Sequence, residues 1–333
     1  MGCTIDRLTD AELPAFRDFC ARNWGARHPL IHDPASFDYY FRRGGGINFL
    51  RAQDDETGDI LSVAGFLYAN SLPAPDVWLS YILTKKGAPL NLGFHMLETL
   101  RAVTSCRSFG VNNIRPKTRG LYEFLGYRTG RMEHWYRLNP GRTDYTLCDI
   151  YTRNIPAVKN NAVTLTRLDK RGLDDFAFED YAQYRPYKDR GYVEHRFFEN
   201  PWLDYDVRAA AENGRTFALA VFRELAHGGH RVLRLVDFIG ARERLADCGA
   251  AVDRLLRERD ADFADVYAYG LPAGRLSAAG FVRREENDAN IIPDYLTPPL
   301  YENVDFWAVG EDDDDYVLFR ADGDQDRPNL TAY

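Results

Sequence analysis

The chain has 333 residues, enough for two cores of about 150 residues rather than one. It is 45% hydrophobic, 14% aromatic and 28% charged, a profile that excludes global disorder. A formal net charge of -8 argues against a general nucleic-acid binder, which needs a basic face, but leaves room for a local basic pocket.

In chain order, the apolar patterning predicts a strand at 4–8, a helix over 10–22 and a short helix over 34–42. Trp24, His28, His32 and Asp33 lie between the two helices. Strands at 48–53 and 60–68 flank an acidic turn ending at Gly58, a hairpin signal. A β-rich run over 77–84 leads through a loop into a helix over 92–104. The apolar residues of that helix, Phe94, Leu97, Leu100 and Val103, recur at helical spacing. A strand at 108–114, a helix at 118–125 and a strand at 132–138 complete the set. A linker over 139–162 carries Pro140, Gly141 and Pro156.

The same order then returns. A strand at 163–168 is followed by helical segments at 172–181 and 192–198. Hairpin strands at 206–211 and 216–225 surround Asn213 and Gly214, and a strand at 232–239 precedes a helix at 245–259. A strand at 264–269, a small helix at 274–279 and late strands near 305–309 and 316–320 finish the chain. Three landmarks keep one offset of about 155 residues: Val77 with Val232, Gly126 with Gly280, and Phe37 with Val193. The reading is therefore α/β, with two tandem domains at 1–145 and 160–333. Each is expected to hold a mixed, mostly antiparallel sheet flanked by helices.

Cys3, Cys20, Cys106, Cys148 and Cys248 are dispersed, without metal-like spacing, and read as reduced thiols. No signal-peptide stretch or membrane-length apolar run is present, so the cytoplasm is the expected address. His227 and His230 sit in a glycine turn, and no metal is expected.

The order of elements resembles the GNAT fold of acyl-CoA-dependent N-acyltransferases, and two stretches carry the resemblance. The first is Lys85-Lys86-Gly87-Ala88-Pro89-Leu90-Asn91-Leu92-Gly93, after the central strand. In the family this loop wraps the cofactor pyrophosphate. A helix N-terminus suits an anion there, because its first amides are unsatisfied and its dipole is favourable. Lys85 and Lys86 add charge, Gly87 and Gly93 allow close backbone approach, and Asn91 stands where it caps the helix starting at Leu92. The loop is longer than the family's pattern and is interrupted by Pro89. The second stretch, Gly120-Leu121-Tyr122-Glu123-Phe124-Leu125-Gly126-Tyr127, is similar to the family's late helix and turn. The resemblance implies acetyl-CoA or another acyl-CoA as donor and direct attack by an amine in a ternary complex. It also implies that Tyr122 donates to the leaving thiolate; the reference pKa values are about 10 for the phenol and about 8.5 for a thiol.

His28 either deprotonates the acceptor ammonium or is an ordinary histidine, and the residues leave both open. Trp24 and His32 lie in a region that borders the acceptor pocket in this fold. In the second half, Glu243 and Asp247 occupy the loop where a pyrophosphate would lie, and Ser277 stands near the tyrosine's place. The second domain is therefore expected to have lost the cofactor and to wall the acceptor site. Asp237, in an apolar strand, must be paired or catalytic. In the tail, Asp322, Asp324 and Asp326 beside Arg327 are expected to hold an amine. The EF-hand pattern fails for want of a glutamate at its twelfth position. Such an ending resembles tandem GNAT-like proteins encoded with surface-polysaccharide sugar pathways, which implies an amino-sugar acceptor. Two other readings stand beside this one: an aminoacyl-tRNA-dependent transferase of the Fem type, and a non-catalytic ligand-binding or assembly protein. The expected partner is a small amine, not nucleic acid or a membrane, and a homodimer is left open.

Overall fold

A computed structural model describes residues 2–25, 28, 32–159, 162–296 and 298–328. Its contacts divide the chain into two compact units. One is Met1–Arg128 with Val309–Glu311 and Gly323–Tyr333; the other is Thr129–Ala308 with Asp312–Asp322. The boundary thus falls earlier than the linker suggested, and two short late segments return to the first unit. Local patterning announces a strand at 132–138 but carries no information about which sheet receives it.

In the first unit the elements are β1 (Cys3–Arg7), α1 (Leu13–Asn23), α2 (Pro34–Phe41), β2 (Phe49–Asp54), β3 (Ile60–Tyr68), β4 (Asp76–Thr84), α3 (Leu92–Thr104), β5 (Ser108–Ile114) and α4 (Arg119–Phe124). The strands lie in chain order, antiparallel up to β4. β4 and β5 are parallel, because α3 is the crossover between them. A capping box between Thr9 and Glu12 opens the 3₁₀ turn ahead of α1. Asp33 caps α2 by accepting from the Ser36 amide, with Pro34 at the first helical position. Phe16 of α1, Phe37 and Phe41 of α2 and Phe49 of β2 pack with ring centroids 4.7–5.8 Å apart. This cluster seats both helices on the sheet. α3 buries Leu92, Met96, Leu97, Leu100 and Thr104. Its inward face is therefore turned from the expected one, with Phe94 half-buried and Val103 exposed.

The second unit contains β7 (Glu133–Leu138), which follows β6 (Arg128–Arg131), and then β8 (Thr164–Arg167). Next come α5 (Arg190–Val193), which a π-helical turn, Glu194–Phe198, continues, β9 (Asp206–Glu212), β10 (Arg215–His227), β11 (His230–Gly240), α6 (Gly249–Glu258), β12 (Phe263–Tyr269) and α7 (Ala273–Ala278). β13 (Val282–Arg283) and β15 (Leu318–Phe319) follow, while β14 (Trp307–Gly310) joins the first sheet, whose order is β1-β2-β3-β4-β5-β14-β6. The sheet order is β13-β7-β12-β11-β10-β9-β8, with β15 added to β12. β11 and β12 are the parallel pair, crossed over by α6, whose Leu255 and Leu256 join Leu235, Val266 and Phe281 in the core. Residues 172–181 form 3₁₀ turns rather than the expected helix. No helix is long and apolar enough to cross a membrane among the described residues.

Candidate active site

The site begins where the parallel pair of the first unit comes apart. At its start the pair is clamped. The carboxylate of Asp76, fully buried, accepts from Asn70 Nδ2 at 2.7 Å, from Arg107 Nη2 at 2.8 Å and from the Ser108 hydroxyl. Parallel pairing then runs only from Asp76/Ser108 to Leu79/Val111, although β4 continues to Thr84 and β5 to Ile114. On the other side, Tyr81 faces Gly65 and Leu79 faces Phe66, so Ser80 is the extra residue of a β-bulge. A bulge bends its strand, and here it comes directly after the last parallel pair. The result is a split at the carboxyl ends of two parallel strands, the place where open α/β sheets take ligands.

The loop beyond β4 is held by Lys85 N–H to Leu61 C=O at 2.8 Å and Ala88 N–H to Lys85 C=O at 3.1 Å. Gly87 has φ +87°, which a side chain rarely adopts. At the start of α3, the amides of Leu92 and His95 are taken by Pro89 and Asn91 carbonyls. Those of Gly93 and Phe94 have no backbone acceptor among the described residues. A Cβ added at Gly87 or Gly93 would meet nothing within 4 Å. Asn91 does not cap the helix as expected: its backbone is already helical, and its side chain pairs with His95 Nε2 at 2.9 Å. Lys85 is drawn to Asp59 at 3.4 Å, while Lys86 is exposed. Beside the loop, Leu90 and Phe124 are exposed, with Phe94 and Phe124 rings 6.2 Å apart.

Tyr122 stands on α4, its ring buried. Gly126 ends the helix in the left-handed region at φ +86°, and Tyr127 N–H returns to the Tyr122 carbonyl at 3.0 Å. Burial, then the neighbouring Tyr127, pushes the Tyr122 phenol well above its ordinary value, so it stays protonated.

A second cluster gathers around Tyr81, one residue past the bulge. The rings of Trp24 and His28 stack at 4.5 Å and both meet Tyr81 edge-on, at 5.1 and 5.4 Å. Arg327 donates to the Tyr81 hydroxyl and to Asp324 at 2.5 Å, and Gln325 accepts from Asn113 at the end of β5 at 3.1 Å. The tail residues Asp324 and Arg327 thus join Trp24 and His28, while Asp326 is buried and His32 exposed. Burial, then the charge of Arg327, lowers His28 to about 4. A neutral imidazole with so low a pKa accepts a hydrogen bond but does not hold a proton near pH 7, which speaks against a general base. Tyr81 had no motif to announce it; its place beside a bulge is visible only in the strand register.

The second unit has the same local geometry with a different outcome. β11 and β12 pair from Val232/Phe263 to Leu235/Val266, and the extra residue of the adjoining bulge is Val236. Here the split is closed. β15 pairs with β12 at Ala268 and Tyr269, and Ala321 N–H donates to the Val236 carbonyl at 2.9 Å. Beneath it, the buried Lys188 ammonium bridges Asp237 and Asp322, each at 2.6 Å. Asp237 also accepts from its neighbour Phe238 N–H, and Asp322 from Phe319 N–H, both at 2.8 Å. Asp237, expected as a catalytic group, and Asp322, expected as a substrate ligand, are both fully buried and share the Lys188 ammonium. Burial and the second carboxylate push Asp322 up to about 6 despite Lys188. Arg234, three residues earlier in the same strand, binds Asp265 and Asp294, each at 2.7 Å. Lys188 lies in an irregular stretch, and nothing in its local sequence announced it. Among the described residues, no three His, Cys, Asp or Glu side chains gather as metal ligands.

No protein-family model matches the chain, and no curated protein does. Solved structures do. A GCN5-related N-acetyltransferase from Anabaena variabilis superposes with a TM-score of 0.58 at 10% identity, over 92% of this chain and 72% of its own. A conserved protein of unknown function from Enterococcus faecalis, named as a probable N-acyltransferase, superposes with a TM-score of 0.55 at 10% identity, over 93% and 72%. At such identity the likeness establishes the fold: a mixed α/β chain with two mixed sheets flanked by helices, like that of these proteins.

Proposed function

We propose that the first unit binds an acyl-CoA, acetyl-CoA first among them, in the split between β4 and β5 and passes its acyl group to a small amine. In this reading the two units are diverged tandem domains, of which only the first retains the cofactor. The observation that carries the proposal is the open parallel pair: pairing ends at Leu79/Val111 beside a bulge, and beyond it the described tail reaches the two strands through side chains, Arg327 to Tyr81 and Gln325 to Asn113. The unpaired amides of Gly93 and Phe94, at the positive end of α3, suit a pyrophosphate, with Lys86 close in sequence. The exposed Leu90 and the Phe94–Phe124 pair offer apolar surface to the rest of an amphipathic cofactor. The names carried by the similar structures point the same way.

The amine attacks the thioester carbon, the C–S bond breaks, and the thiolate finally takes the proton that the amine loses. Tyr122 donates a hydrogen bond to the departing sulfur. With its pKa raised it keeps its proton and acts by stabilising charge rather than by giving the proton away. Trp24, His28, Tyr81, Asp324 and Arg327 form the acceptor side, where aromatic faces and a buried carboxylate suit an amine such as an amino sugar. Calorimetry with acetyl-CoA and thiol-release assays over amino sugars, polyamines and amino acids test the proposal. Binding together with amine-dependent thiol release is expected. No binding at millimolar acetyl-CoA would remove the enzyme reading and leave a ligand-binding or assembly role.

A further inference from the structure

The bulge residue itself carries one of the unexplained buried polar groups of the first unit. The Ser80 Oγ has no exposed surface and no hydrogen-bond partner among the described residues. A hydroxyl left so is costly unless something absent from the free protein completes it. Strand alternation gives its direction. Trp78, two residues earlier, lies against Gly323 of the tail, whose added Cβ would sit 3.7 Å from Trp78 Cβ. Tyr81 meets Arg327 of the same tail. Residues 78 and 81 share a face only because the bulge adds one residue, and Ser80, two from Trp78, points to that face as well. It is the face that carries Trp24, His28 and Asp324. The second unit supplies the contrast: its bulge residue is Val236, which has no hydroxyl, and the Val236 carbonyl is taken by Ala321.

We propose that the Ser80 hydroxyl binds the nitrogen of the acceptor amine, accepting its N–H and so turning the lone pair toward the thioester. The inference rests on the acyl-transfer reading above and names a specificity residue within it. The Ser80 hydroxyl, as distinct from the backbone of the split that the cofactor lines, serves the acceptor, and this separates its signature from that of Tyr122 or of the loop.

The test measures three quantities on the full chain: acetyl-CoA affinity by calorimetry, amine-dependent thiol release, and thiol release by water when no amine is present. Ser80→Ala is expected to lower kcat/KM for the amine by about tenfold or more. Acetyl-CoA affinity and the hydrolytic background should stay as in the wild type. Ser80→Thr, which keeps the hydroxyl, should recover part of the loss, and Ser80→Val, which copies the second unit, should not. A melting temperature matching the wild type shows that the variants are folded. Unchanged kcat/KM for the amine in Ser80→Ala overturns the role of Ser80 while the wild type still turns over. An equal loss in transfer and in hydrolysis overturns it too, because the hydroxyl would then serve the thioester. A wild type that neither binds acetyl-CoA nor releases thiol fails at the underlying reading, and the assignment of Ser80 falls with it.

Discussion

Each unit builds a parallel strand pair around a crossover helix, ends the pairing after four residues and bulges the first strand at the next position, Ser80 in one and Val236 in the other. Beyond the bulge the two units part. In the second unit the chain's own segment 316–322 enters, pairs with β12 and is held through a buried ammonium shared by two carboxylates. In the first, the tail 323–327 lies beside the pair and meets Tyr81 and Asn113 through side chains, and the bulge residue keeps an unpartnered hydroxyl. The contrast teaches that a strand pair ended by a bulge leaves backbone groups to satisfy, and the second unit satisfies them with its own segment 316–322.

Breaking the closure should give the largest effect. Lys188→Met leaves two buried carboxylates without their cation and should cost about 3–5 kcal/mol in urea unfolding. Next comes the chemistry of the open side. Tyr122→Phe should lower kcat about hundredfold while acetyl-CoA affinity is kept, as read by thiol release and calorimetry.

The third effect is a pH dependence. Because Asp322 titrates at about 6 in the fold, above its ordinary 3.8, the native state holds its proton more tightly than the unfolded chain does. Its contribution therefore improves as pH falls from 7 toward 4, and its cost is complete above about 6. Asp322→Asn should gain on the wild type at pH 7.5, and the gain should shrink by pH 5; urea midpoints at both values check this. The smallest effect belongs to the loop. Lys86→Ala, an exposed charge near a helix N-terminus, should weaken acetyl-CoA binding by about two- to fivefold, less so at high salt.

Much of the fold was legible because its elements are local. The strands at Ile60–Tyr68 and Ser108–Ile114 and the helix at Leu92–Thr104 come directly from patterning. The offset of about 155 residues matched Val77 with Val232, and each lies in the first strand of a parallel pair. The features that escaped depend on long-range partners. Residues 133–138 read as a strand, but their place between β13 and β12 is decided by pairing far along the chain. Asp237 looked functional because a carboxylate in an apolar strand needs a partner; the partner, Lys188, comes from 49 residues away. Ser80 escaped because a bulge has no sequence signature of its own. Setting it against Val236 at nearly the same offset was the one signal available.

Hydrogen exchange measured with and without saturating acetyl-CoA bears most directly on the difference between the two splits. Protection is expected in 80–84 and 87–94, with none in 236–247, where the gap is already filled. Protection confined to 236–247, or none in either stretch while acetyl-CoA is bound, would contradict the assignment of the donor site to the first unit.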